Sequence, residues 1–96
     1  MRFQVFIKSK SVEAINELPG KTRRIIHEEL KTLEQDPYPC TGGDKELLHT
    51  DEGIEVYRLH IGRSYTAFYT INTGCNTVQV HDVMTIGQAH KKYGRI

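Results

Sequence analysis

The apolar pattern of this chain changes from a helical period to a period of two at Ile54, and that change does most to fix the fold class. Before it, Val12, Ile15 and Leu18 recur at helical spacing, as do Ile26, Leu30 and Leu33 with Ile25 beside them. After it, the runs at 54–61, 64–72 and 77–84 are rich in Val, Ile, Tyr, Phe and Thr, residues that suit a pleated, half-buried surface. An opening strand is marked by the alternation of Phe3, Val5 and Ile7. Ser9 and Ser11 offer caps for the first helix, and Pro19-Gly20 breaks it. A second helix is predicted over 21–35, with Arg23, Arg24, Glu28, Glu29 and Lys31 on its solvated side.

Two amphipathic helices joined this tightly predict a hairpin packed on a sheet. Asp36-Pro37-Tyr38-Pro39 stops the second helix, because proline cannot continue it. Residues 40–44, with Gly42-Gly43, read as a loop, and Lys45–His49 as a short edge strand. Gly62-Arg63 suits a type II′ turn between the first two late strands, and 72–76 forms a longer second turn. Residues 87–93 read as one or two final helical turns. The expected fold is α+β: an N-terminal strand, a helical hairpin on an antiparallel three- to four-stranded sheet, and a short C-terminal helix. With 96 residues the chain reads as a single domain, 1–96.

Charge narrows the function. Thirteen Lys and Arg against twelve Asp and Glu give a net charge of +1, which excludes a strongly basic nucleic-acid binder and an acidic tail. The total hides a division: residues 1–56 hold eight basic and eleven acidic side chains, residues 57–96 five basic and one acidic. A cationic C-terminal half can face a polyanion, since local field rather than total charge steers a phosphate backbone. Cys40 and Cys75 stand alone in sequence, with no CxxC pair. Two unpaired thiols in a cytoplasmic protein are expected, with a disulfide left open. No apolar run approaches the roughly 20 residues of a membrane helix, so no membrane partner is expected.

The chemistry-bearing residues lie in the cationic half. Arg58 and His60 are two apart on a predicted strand and therefore share a face. Such a pair matches RNA cleavage, where arginine stabilises charge developing on a phosphate and histidine moves protons near neutral pH. It also matches an ordinary solvent-facing strand. Arg63 stands in the turn, within reach of a phosphate. Tyr65 belongs to an alternating run with Ala67, Tyr69 and Ile71 that reads more readily as core than as a base-stacking site. His81 and Asp82 are adjacent, so a regular strand sends them to opposite faces and they form no acid–base pair. On a helix, His90 and Tyr93 share a face, with Lys91 and Lys92 between them. The histidines lack HxxxH spacing and no cysteine lies near them, so no metal is expected. Gly42-Gly43 is followed by no GKS or GKT, which excludes a phosphate-cradling loop.

The order of "KSVEAINELP", "KTRRIIHEELKTLEQDPYP", "DKELLHTDEGIEVYRLHIGRSYTAFYTI" and "VQVHDVMTIGQAHKKY" resembles the RelE/ParE superfamily of toxins over residues 3–93. Within it, "VYRLHIGRSYTAFY" is similar to the family's central hairpin and "AHKKY" to its closing segment. The resemblance implies a toxin held by a cognate antitoxin protein. RelE-like members commonly cut mRNA inside the ribosome without a cofactor, whereas ParE-like members poison DNA gyrase. For a ribosome-dependent endonuclease it implies Arg58 and Arg63 at the phosphate, and His60 and His90 as proton-transfer groups. It further implies Tyr93 orienting the nucleotide, and Lys91, Lys92 and Tyr65 along the RNA. The sequence departs from the pattern where many nucleolytic members carry arginine: here stand Thr66 and Gly87. Those departures favour the alternative, a non-enzymatic interaction module such as a gyrase poison or a degenerate toxin acting as co-repressor with its antitoxin.

Overall fold

The structure, a computed structural model, describes residues 2–39, 43–49 and 53–93. Five strands form one sheet: β1 (Gln4–Ile7), β2 (Lys45–His49), β3 (Glu55–Ile61), β4 (Tyr65–Asn72) and β5 (Thr77–Thr85). Their spatial order is β1-β5-β4-β3-β2. β2 to β5 are an antiparallel meander, while β1 runs parallel to β5 with Val5 opposite Val78. The α+β architecture is the expected one. The opening strand and the edge strand both join the meander, so the sheet has five strands and is mixed rather than antiparallel.

The helices α1 (Ser9–Asn16) and α2 (Gly20–Lys31), with a 3-10 turn at Thr32–Glu34, cover one face of this sheet. Ile15, Ile26, Leu30 and Leu33 from the hairpin meet Tyr57, Leu59, Ile61, Ala67, Tyr69, Val78, Val80 and Val83 from the strands. Every second residue of β3 and β4 thus enters the main core. Tyr69 is fully buried, stacks on Tyr57 at 5.4 Å, and donates its hydroxyl to the Pro37 carbonyl at 2.6 Å. That bond ties the segment after α2 to the middle of the sheet.

The local signals differ from expectation in two places. Neither Ser9 nor Ser11 caps α1: the N-cap is Lys8, which makes no side-chain hydrogen bond. Ser11 instead turns inward and its hydroxyl donates to the His81 carbonyl at 3.0 Å, pinning α1 to β5. The β3–β4 connection is not a two-residue type II′ turn, because Ile61 pairs with Tyr65 and leaves a three-residue loop. Gly62 there has φ +60, a conformation that costs a residue with a Cβ.

A third helix, α3 (Ile86–Tyr93), packs on the opposite face of the sheet. Its start is fixed by a reciprocal pair in Thr85-Ile86-Gly87-Gln88. The Gln88 N–H donates to Thr85 Oγ1 at 3.1 Å and the Thr85 N–H to Gln88 Oε1 at 2.9 Å, a capping box. Ala89 then packs with Leu48 and Phe68 in a second, smaller apolar cluster flanked by Val56 and Met84. Cys75 is exposed in the β4–β5 turn; Cys40, Gly42 and Arg95 lie outside the described residues. No described helix is long and apolar enough to cross a membrane.

Candidate phosphate-binding face

The face of the sheet that carries α3 also carries the candidate chemistry. On β3 the residues that alternate with the core set are Val56, Arg58 and His60, so Arg58 and His60 project together, as their spacing predicts. Register places Arg58 between Glu46 of β2 and Phe68 of β4, and His60 opposite Thr66. Glu46 bridges the pair. Its Oε2 accepts from an Arg58 terminal nitrogen at 2.5 Å, and its Oε1 lies 3.4 Å from His60 Nε2. Arg58 is the inner partner, 8% exposed, while the Glu46 side chain is 47% exposed at the sheet's edge. The hydrogen bond from Arg58 holds the Glu46 carboxyl below the usual carboxylate range, against partial desolvation and with help from the Arg58 charge and His60.

Asp82 forms a second ionic centre on this face. It lies opposite Phe68 across β4, and one of its oxygens meets Lys10 Nζ of α1 at 2.9 Å and Lys92 Nζ of α3 at 3.5 Å. A buried carboxylate therefore joins both helical layers on β5, just past the end of its pairing with β1. His81 is on the same face, which corrects the expectation that His81 and Asp82 oppose each other. Thr70 pairs with Gln79 but Phe68 pairs with Asp82, so β5 carries one extra residue here, a β-bulge that resets the alternation. His81 Nε2 meets Thr70 Oγ1 at 2.8 Å. Burial and the charge of Lys8, with Lys10 behind it, push His81 below its ordinary value, while Asp82 opposes the shift.

The other sequence candidates divide between locations. Tyr65 sits on the far face, packed against the main core beneath the hairpin, so it does not join Arg58 and His60. Its neighbour Thr66 does face them, but it is buried and donates its hydroxyl to the Leu59 carbonyl at 3.2 Å. Arg63 is exposed in the β3–β4 loop. His90 and Lys91 are exposed on α3, and among the described residues neither side chain makes a hydrogen bond or ion pair. Lys92 is drawn to Asp82. The side chain of Tyr93, the last residue of α3, lies outside the described part.

Comparison with known proteins decides the fold family. No protein-family model and no curated protein matches the chain. Solved structures do: a chain of the archaeal RelE–RelB complex from Pyrococcus horikoshii OT3 superposes with a TM-score of 0.75 at 26% identity, over 93% of this chain and 100% of that one. A chain of the RelBE2 toxin–antitoxin complex from Mycobacterium tuberculosis gives 0.75 at 16% identity, over 88% and 99%. A double mutant of Escherichia coli toxin RelE in the free state gives 0.65 at 12% identity, over 98% and 90%. By fold, this chain is RelE-like.

On this RelE-like frame, sequence reasoning missed Glu46, Lys10 and the pairing role of Asp82. Glu46 was legible only as sharing a face of the edge strand with Leu48; its contact with Arg58 depends on register, which a short strand does not announce. Of the two departures from the RelE-like pattern, Thr66 fills its place with a satisfied hydroxyl. Gly87 leaves space open, with no atom within 4 Å of where a Cβ would stand. On this face Glu46 thus pairs with Arg58, and Asp82 with Lys92 and with Lys10 of α1.

Proposed function

We propose that this protein is the toxin of a type II toxin–antitoxin pair and that it cleaves mRNA on the ribosome. The observation that carries the reading is the Arg58–His60 pair on the α3 face of a RelE-like sheet. The toxin class is supported by the relatives, two of which are structures of a RelE–RelB complex and of a toxin–antitoxin complex. A cognate antitoxin is accordingly the partner, and ribosome-bound mRNA the target.

The chemistry requires only side chains. His60 takes the proton of a ribose 2′-hydroxyl, whose oxygen attacks the adjacent phosphorus. Arg58, with Arg63 from the loop, meets the charge that grows on the non-bridging oxygens. As the bond from phosphorus to the 5′-oxygen breaks, His90 supplies the proton to the leaving oxygen. The products are a 2′,3′-cyclic phosphate and a 5′-hydroxyl end. Tyr93 orients the nucleotide, and Lys91 and Lys92 hold the strand.

Growth assays test this assignment. Expression of the chain without an antitoxin arrests growth, and Arg58→Ala or His60→Ala relieves the arrest while antitoxin binding persists. Each loss corresponds to about a hundredfold or more in rate. A second reading, a non-enzymatic module, is favoured by one observation: Glu46 and Asp82 already engage Arg58 and Lys92. Under that reading both variants keep whatever toxicity the parent has.

A further inference from the structure

We infer that Glu46 is a built-in anion occupying the Arg58–His60 site, so that a phosphodiester enters only by exchanging with the Glu46 carboxylate. The inference rests on the reading of that pair as a phosphate site. The geometry is that of an occupied anion site: one carboxylate oxygen on the Arg58 guanidinium at 2.5 Å, the other 3.4 Å from His60 Nε2. A non-bridging phosphate oxygen pair seeks the same two donors. The two partners differ in freedom. Arg58 is held within the sheet, its side chain 10% exposed, and Glu46 stands on the edge strand with its side chain 47% exposed. Glu46 is therefore the member that can swing out, and Arg58 the member that stays to receive what replaces it.

Burial explains why an acid belongs there at all. A guanidinium this enclosed loses water and requires a counter-charge when no substrate is bound. A carboxylate supplies it, prepositions the fork of donors, and at the same time competes with every weakly held anion. Only an anion brought in with additional contacts, such as an RNA strand fixed along α3 and the β3–β4 loop, displaces it readily. The consequence is selectivity: free phosphate and loose RNA are disfavoured, and a strand already held in place is admitted.

Two titrations test this without any cleavage, using inorganic phosphate and a short single-stranded RNA with 2′-O-methyl riboses that cannot be cut. Glu46→Gln keeps the shape and removes the charge, and is expected to tighten both ligands about five- to tenfold at low salt. Adding Arg58→Gln to it is expected to abolish the gain, as the exchange requires. Glu46→Asp, whose shorter arm withdraws the charge from His60, is expected to give a smaller gain and serves if the Gln variant fails to fold. Unchanged or weaker binding in folded Glu46→Gln overturns the inference, and so does a gain that survives the loss of Arg58. Tighter phosphate binding in a protein that leaves ribosomal mRNA intact keeps the inference and removes the nuclease reading instead.

Discussion

Tyr69 shows how much of this fold depends on single polar atoms. Its ring is core, yet its hydroxyl is buried and must find the Pro37 carbonyl. Tyr69→Phe removes the donor and strands that carbonyl, so we expect a loss of about 1–2 kcal/mol in urea denaturation. His81 makes the matching argument in pH. Its folded-state value lies below the ordinary 6.5, so the unfolded chain binds the proton more readily. Its contribution to stability is complete above about 6.5 and is lost as pH falls through the depressed folded value. Glu46, also depressed, loses its own contribution at lower pH, below the usual carboxylate range. Urea midpoints measured from pH 7.5 to 5 are expected to fall, and His81→Gln is expected to flatten that limb.

At the scale of elements, the change of period at Ile54 correctly separated the helical hairpin from strands β3 to β5, because period-2 burial against one hairpin leaves a plain trace in sequence. The edge strand Lys45–His49 and the closing helix were also read from the sequence. The bulge at His81 was not, since an extra residue in one strand shows only against its partner's register. The parallel pairing of β1 was equally hidden: alternation in Phe3, Val5 and Ile7 marks a strand but not its neighbour. Arg58 and His60 were found by spacing alone; Glu46, which completes them, was not, because it comes from a strand whose pairing had to be seen. The capping box at Thr85 and Gln88 was readable in principle as Thr-x-x-Gln. Its test is Thr85→Ala, expected to cost about 1 kcal/mol and to speed amide exchange in α3 ahead of the sheet.

For the whole molecule, the decisive quantity is the near balance of charge on the α3 face. A net charge of +1 over 96 residues, with Glu46 and Asp82 set among the cations, gives little general attraction for RNA. The protein alone is therefore expected to bind uncleavable single-stranded RNA weakly, with a salt slope no steeper than about −2, the value for three neutralised phosphates. Fluorescence anisotropy across salt concentrations reads this directly. The ribosome, in this account, supplies the positioning that the protein's own field does not. The direct test is primer extension on an mRNA translated in vitro, with purified protein added in the presence and absence of ribosomes. The account predicts new 3′ ends at a fixed position in the decoding site, only with ribosomes, and lost with His60→Ala and with His90→Ala. Intact message at protein concentrations above that of the ribosomes contradicts it.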